Sequence, residues 1–186
     1  MLAKIVGGLA VLVAVFLAVV ALQPATFHIE RSITMSAPPE RAFAEVNDFH
    51  AWKAWSPWEA RDPSMKRSYS GAPSGTGAVY AWSGNGVAGE GRMTIKRSLL
   101  PSLVVIELEF VKPFAATNTA TYSFEPVPNG TRVTWAMDGA NNFAAKAIHL
   151  VVNLDKLVGT DFERGLSRMK TVAEQPQPSV AVANAP

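Results

Sequence analysis

The sequence predicts an α+β protein: a curved seven-stranded antiparallel sheet wrapped around a long C-terminal helix, preceded by an N-terminal transmembrane helix. Three observations predict it. The segment Ile5–Leu22, IVGGLAVLVAVFLAVVAL, carries no charged or polar side chain. Later segments alternate apolar and polar residues with period two and are separated by glycine, proline and Asn-Gly turns. The stretch ending at Glu174 repeats its apolar residues at steps of three and four, the spacing of one helical face.

At about 1.5 Å per residue, Ile5–Leu22 makes about 27 Å of helix, close to the hydrocarbon thickness of a bilayer. An uncleaved single-span anchor is the leading reading. A cleaved signal peptide and a buried core helix are the others. Signal peptides have shorter apolar stretches, and Val19-Val20-Ala21 makes a poor cleavage site. Lys4 precedes the span, which by the positive-inside rule leaves the N-terminus in the cytoplasm and the domain extracytoplasmic, in a periplasm. Gln23–Thr26 reach at most about 14 Å, so a retained anchor holds the domain against the bilayer. The chain thus divides into an anchor and linker over residues 1–26, one domain over 27–174, and a tail over 175–186. The tail, QPQPSVAVANAP, reads as disordered.

Within the domain, Phe27, Ile29, Arg31, Ile33 and Met35 alternate with His28, Glu30, Ser32 and Thr34, a strand pattern. Pro38 and Pro39 end it and suit the first turn of a helix carrying Ala42, Phe43, Val46 and Phe49. A second short helix is expected from His50 to before Pro57. Strands are then expected at Lys66–Ser70, Gly77–Ser83, Gly91–Arg97, Leu103–Val111, Ala116–Glu125 and Thr131–Asp138. Asn85-Gly86 and Asn129-Gly130 suit tight hairpins. One strand face collects Tyr80, Trp82, Met93, Ile95, Val104, Ile106, Leu108, Phe110, Tyr122, Phe124, Val133, Trp135 and Met137. The other collects Arg92, Thr94, Lys96, Glu107, Glu109, Thr119, Thr121, Arg132 and Thr134. Such a sheet has one wet face and one that needs cover. The cover is a helix from an Asn142 N-cap to Glu174, with a bend expected at Gly159 and a re-cap at Thr160 or Asp161.

Of the 17 Lys and Arg only Lys4 lies outside Phe27–Glu174, and all 15 Asp and Glu lie within it. So balanced a domain makes no electrostatic stripe, and no nucleic-acid partner is expected. With no cysteine, disulfides, thiolate nucleophiles and Cys-based metal sites are excluded. His28, His50 and His149 have no metal-ligand spacing, so neither metal nor cofactor is expected. Gly84-Asn85-Gly86-Val87-Ala88-Gly89 matches G-x-G-x-x-G. Strands flank it on both sides, so it reads as a hairpin and not as a dinucleotide fingerprint.

The segments WKAWSPW (Trp52–Trp58), GAVYAWSGN (Gly77–Asn85), TRVTWAMDG (Thr131–Gly139) and LDKLVGTDFERGL (Leu154–Leu166) resemble the polyketide cyclase/dehydrase and lipid-transport branch of the SRPBCC superfamily. That resemblance covers roughly Phe27–Glu174. It implies the START-like helix-grip fold and a hydrophobic cavity between sheet and C-terminal helix, and it carries over no catalytic residue. The expected function is a membrane-anchored binding protein for a hydrophobic small molecule or lipid. The alternative is a cyclase or dehydratase acting on an aromatic or polyketide-like substrate. Ligand contacts are expected from Trp52, Trp55, Tyr80, Trp82, Ile106, Leu108, Phe110, Trp135 and Met137. Trp52 and Trp55, three residues apart, share one face of a short helix. Asp138 and His28 are the weak catalytic candidates. Asn118, Lys112, Asn141 and Asn142 could meet a ligand head group, or serve as ordinary turn and cap residues.

Overall fold

A computed structural model describes residues 2–59, 62, 64–86 and 88–176. Apart from Gln175 and Pro176, the expected tail lies outside the described residues. The elements follow in the order α1 (Leu2–Ala21), β1 (Thr26–Met35), α2 (Pro39–Asn47), α3 (Trp52–Trp55), β2 (Lys66–Gly71), β3 (Ala78–Ser83), β4 (Glu90–Leu99), β5 (Leu103–Lys112), β6 (Ala116–Val127), β7 (Gly130–Ala140), α4 (Phe143–His149) and α5 (Leu154–Ala173).

Short turns make β2 to β7 pair neighbour to neighbour, and β1 returns to the β7 edge. The sheet has seven strands in the order β1-β7-β6-β5-β4-β3-β2, all antiparallel. The two-residue hairpin at Pro128-Asn129 closes on the Val127–Gly130 pair. The glycine-rich stretch from Gly84 links β3 to β4, with Gly84 N–H donating to Gly89 C=O at 2.8 Å. Period-two alternation buries Tyr80, Ile95, Val104, Tyr122, Phe124, Val133 and Trp135 on the inner face. The outer face carries the cross-strand pairs Arg92–Glu109 at 2.6 Å and Lys96–Glu107 at 3.2 Å. Exposed pairs of this kind stabilise little.

Sheet and helices meet in the helix-grip arrangement. α5 packs mainly on β1 and also touches α2, α3 and β7. Its inner stripe, Phe162, Leu166, Met169 and Ala173, is fully buried. α2 packs over β5, β6 and β7 and fills the other end of the core with Phe43 and Val46.

One expectation fails. The stretch from Asn142 to Glu174 is not a single helix bent at Gly159. It breaks at Leu150–Asn153, between α4 and α5. Asn142 caps α4 as expected, its side chain accepting from Ala145 N–H at 2.8 Å. Asn153 caps α5 by accepting from Lys156 N–H at 2.8 Å, and α5 then runs unbroken through Gly159. Thr160 is no cap; its hydroxyl donates to Lys156 C=O at 2.7 Å.

Gly159 answers a packing need. A Cβ there would collide with the Arg31 guanidinium. Arg31, from the inner side of β1, lies across the first turns of α5. Its Nε donates to Glu163 Oε1 at 2.8 Å, and Nη1 and Nη2 reach the two Asp155 oxygens at 3.0 Å each. The Asp155 bonds, then those of Glu163, push the Arg31 pKa further up; Arg31 in turn holds the Asp155 carboxyl below its usual range.

α1 is an apolar helix of mean hydropathy 2.6 over Lys4–Ala21, with 6% of that window buried. Its exit is tied to the domain. Asn141 N–H donates to Ala25 C=O at 2.8 Å, Asn141 Nδ2 to Pro24 C=O at 3.2 Å, and Lys146 Nζ to Ala21 C=O at 3.2 Å.

Replacing Gly159 by Ala should destabilise the protein by displacing Arg31, even though alanine favours a helix by about 1 kcal/mol over glycine. In an Arg31→Ala background the same change should stabilise by up to about 1 kcal/mol. Urea unfolding of the four-variant cycle in detergent checks this reversal of sign. A stabilising Gly159→Ala in both backgrounds would show that the arginine does not dictate the glycine.

Candidate functional site

Because α5 lies over the β1–β7 side and α2 over β5–β7, the inner face of β3 and β4 has little helix above it. A cavity of about 240 Å³ occupies the gap. The turn following α3 contributes Ser56, Trp58 and Glu59. The sheet contributes Tyr80, Trp82, Met93, Leu108, Phe110, Tyr122, Trp135 and Met137. The first turns of α5 contribute Leu157, Val158, Asp161 and Phe162. The partly exposed members, Trp58, Trp82, Leu108, Phe110 and Leu157, mark its mouth.

Local sequence explains how the wall is built. Trp82 faces Gly91 across the β3–β4 pair, and that glycine leaves room for the indole to lie over the neighbouring strand. The Trp82 N–H donates to Ala88 C=O at 3.0 Å, which fixes the ring, and Phe110 meets its edge at 5.9 Å. On the opposite wall Trp135 stacks on Phe162 with centroids 4.0 Å apart and planes 9° from parallel. Tyr122 stacks on the same indole at 4.9 Å, and Trp58 meets it edge-on at 5.4 Å.

The structure brings Trp52, Tyr80, Trp82, Leu108, Phe110, Trp135 and Met137 to this cavity. It does not bring Trp55 and Ile106 there. Both are fully buried in the core under α2. Ile106 shares the inner face of the sheet with the lining residues, whereas Trp55 belongs to α3 and packs behind the wall, edge-on to Tyr122 and Trp135. Trp55 Nε1 donates to Glu45 C=O at 2.9 Å, and Trp52 Nε1 donates to Val46 C=O at 3.0 Å.

The catalytic candidates also fall elsewhere. His28 Nδ1 and Asp138 Oδ1 lie 2.7 Å apart on paired residues of β1 and β7, with both side chains 56% exposed. Alternation turns them to the outer face, away from the cavity. The head-group candidates have other work. Lys112 pairs with Glu90 at 2.8 Å, Asn141 holds the exit of α1, Asn142 caps α4, and Asn118 is buried opposite Gly139 on β7.

Sequence reasoning did not single out Glu59, Asp161 or Phe162 as lining residues. Glu59 sits in a turn that has no period to read. Asp161 and Phe162 lie in the quoted LDKLVGTDFERGL segment, where the helical seam placed Phe162 on the inner side. Glu59 Oε1 accepts from the Tyr80 hydroxyl at 2.8 Å, and Oε2 accepts from Arg67 Nε at 2.7 Å. Burial, then the Glu59 bond, pushes the Tyr80 phenol well above its ordinary pKa, so it stays neutral. Asp161 is buried, with Arg164 Nη1 at 3.8 Å from its carboxylate. Two donors in the wall, Tyr122 Oη and Trp135 Nε1, have no hydrogen-bond partner among the described residues. Burial raises the Tyr122 phenol pKa far up, so it too stays protonated. The wall is therefore apolar and aromatic, with two carboxylates and two neutral phenols, and the Tyr122 hydroxyl and Trp135 N–H are buried behind its surface.

A family model described as polyketide cyclase / dehydrase and lipid transport matches residues 26–174. The chain belongs to this family. Its sheet-and-helix arrangement is the helix-grip fold of the SRPBCC superfamily. Among solved structures, the di-domain ARO/CYC protein BexL of the BE-7585A biosynthetic pathway superposes with a TM-score of 0.61 at 16% identity, covering 86% of this chain and 54% of that one. A Chromobacterium violaceum protein gives 0.57 at 14% identity, over 83% of this chain and 100% of its own. A Rhodobacter sphaeroides protein gives 0.57 at 18% identity, over 81% and 93%. At these identities the likeness is one of fold. No curated protein matches the sequence.

Two predictions follow from the site's chemistry. Unpaired, the buried Tyr122 hydroxyl costs about 1–3 kcal/mol. Tyr122→Phe should therefore leave the protein as stable as before or more so. Thermal unfolding checks this, and a clear loss of stability would mean that the hydroxyl is already satisfied.

The second concerns pH. The Asp138 hydrogen bond, aided by the charges of Asp138 and Glu30, raises the His28 pKa above 6.5. The raised value means that this contact stabilises fully below about pH 6.5 and loses its effect as pH climbs through the folded-state pKa. An NMR titration should find the His28 midpoint above 6.5 and see Asp138→Asn move it back down. Ligand affinity should not change, since the pair lies outside the cavity.

Proposed function

We propose that the domain holds a compact, ring-bearing apolar molecule in this cavity while α1 tethers it to a membrane as a single span. The observation that carries the reading is the aromatic-walled cavity of about 240 Å³. A dry cavity of about 150 Å³ takes one benzene ring. The present one suits a two-ring molecule or a chain of about ten carbons, and a two-chain lipid exceeds it. The length and exposure of α1 support the tether, and Lys4 supports a domain on the extracytoplasmic side.

A second reading makes the bound molecule a substrate for cyclisation or dehydration. The family's description and the likeness to the ARO/CYC protein favour it over passive carriage. Confining a flexible chain in a reactive fold would supply much of the rate enhancement. The acid or base would come from Glu59, Tyr80 or Asp161, the ionisable groups facing the cavity beside the Tyr122 phenol. His28 and Asp138 lie too far outside it to serve.

Tryptophan quenching of the full-length protein in detergent tests the binding reading. Two-ring aromatics such as 2-naphthol should quench saturably, a two-chain phospholipid should not, and Trp82→Ala should weaken 2-naphthol about ten-fold. Saturable quenching by the phospholipid alone would overturn it. The two readings part at Glu59→Gln: a carrier keeps its affinity for neutral ligands, whereas an enzyme loses turnover of a polyketide-like substrate.

A further inference from the structure

The segment joining α4 to α5 breaks the rule that apolar side chains are covered. Val151 is 86% exposed, Leu157 58%, Phe143 51% and Ile148 47%, on a stretch of only fifteen residues from Phe143 to Leu157. Single exposed apolar residues are ordinary, but several of them close together in one short segment mark an interaction surface. Its position narrows what the partner is. α4 packs against the end of α1, and Lys146 Nζ donates to Ala21 C=O in the last turn of that apolar helix. The other end of the run, Leu157, lines the mouth of the cavity.

The charges agree. Lys146 and Lys156 lie within the run, while its one acid, Asp155, is neutralised by Arg31 at 3.0 Å. An apolar edge with lysines beside it fits the boundary between acyl chains and anionic headgroups.

We infer that the α4–α5 junction, from Phe143 to Leu157, is a second membrane contact that seats on the lipid surface beside α1 and turns the cavity mouth towards the bilayer. An apolar ligand then passes between bilayer and cavity along Val151 and Leu157 without crossing open water. This rests on the reading of α1 as a membrane span, and the test separates the two.

The chain has no cysteine, so single cysteines carry nitroxide labels without background. The full-length protein, labelled in turn at Val11→Cys in α1, Val151→Cys at the junction and Ser102→Cys in the exposed β4–β5 turn, is reconstituted into nanodiscs containing phosphatidylglycerol. Relaxation by oxygen, which concentrates in lipid, is compared with relaxation by a water-soluble nickel chelate. The labels at Val11 and Val151 should both be several-fold less accessible to nickel than the label at Ser102, and more accessible to oxygen. A lipid-shielded Val11 label with a nickel-accessible Val151 label would overturn the seating and leave the anchor standing. A nickel-accessible Val11 label would overturn the anchor and the seating with it. A Val151 label shielded from both agents would put a second copy of the protein, not lipid, on this edge and would also overturn the seating.

Discussion

The stack of Phe162 on Trp135 is the contact on which the architecture turns. One ring belongs to α5 and the other to β7, so the stack is where the gripped helix meets the sheet that grips it. Tyr122 continues it on one side, and Trp55 and Trp58 meet it edge-on at 5.8 and 5.4 Å. Aromatic pairs prefer stacked-offset and edge-to-face contacts, and this cluster supplies both kinds at once. The same rings are core on one side and cavity wall on the other. Core packing and cavity lining are here a single layer of side chains.

Arg31 complements that stack with a different force. It latches β1 to the first turns of α5 through two carboxylates, and its guanidinium fills the space that a side chain at position 159 would take. Stack and latch both pull the helix towards the β1–β7 side of the sheet. α2 fills the far end. The inner face of β3 and β4 is covered least, and the cavity forms beside it. The hollow is a consequence of seven strands being served by one long helix held off-centre.

Much of this was legible in the sequence because period-two alternation is a strong signal when turns punctuate it. Each strand lies where alternation placed it, within a few residues, and the inner-face set from Tyr80 to Met137 was readable residue by residue. The helix break was not, because Asn153 and Gly159 both look like interruptions. Only the Arg31 contact, made by a residue more than a hundred positions away, shows that Gly159 belongs inside a helix. For the site, alternation gives the face but not the position along it. Ile106 is indistinguishable by pattern from Leu108, and Trp55 from Trp52, its neighbour on α3. What separates them is whether the side chain meets the cavity or is closed off by its neighbours, and that is a tertiary fact. Glu59 carried no signal at all, since an aperiodic turn has no face.

The two indole bonds to α2 have a mechanical meaning. A helix ends with carbonyls that no amide of its own can reach, and such ends are often finished by a glycine turn or by water. In α2 the carbonyls of Glu45 and Val46 are met instead by the N–H groups of Trp55 and Trp52. Trp52 also borders the cavity. A guest that tilts this indole therefore strains a bond to the last turn of α2, and α2 lies across β5, β6 and β7. The cavity wall and the helix that covers β5, β6 and β7 are thus joined by a single indole hydrogen bond.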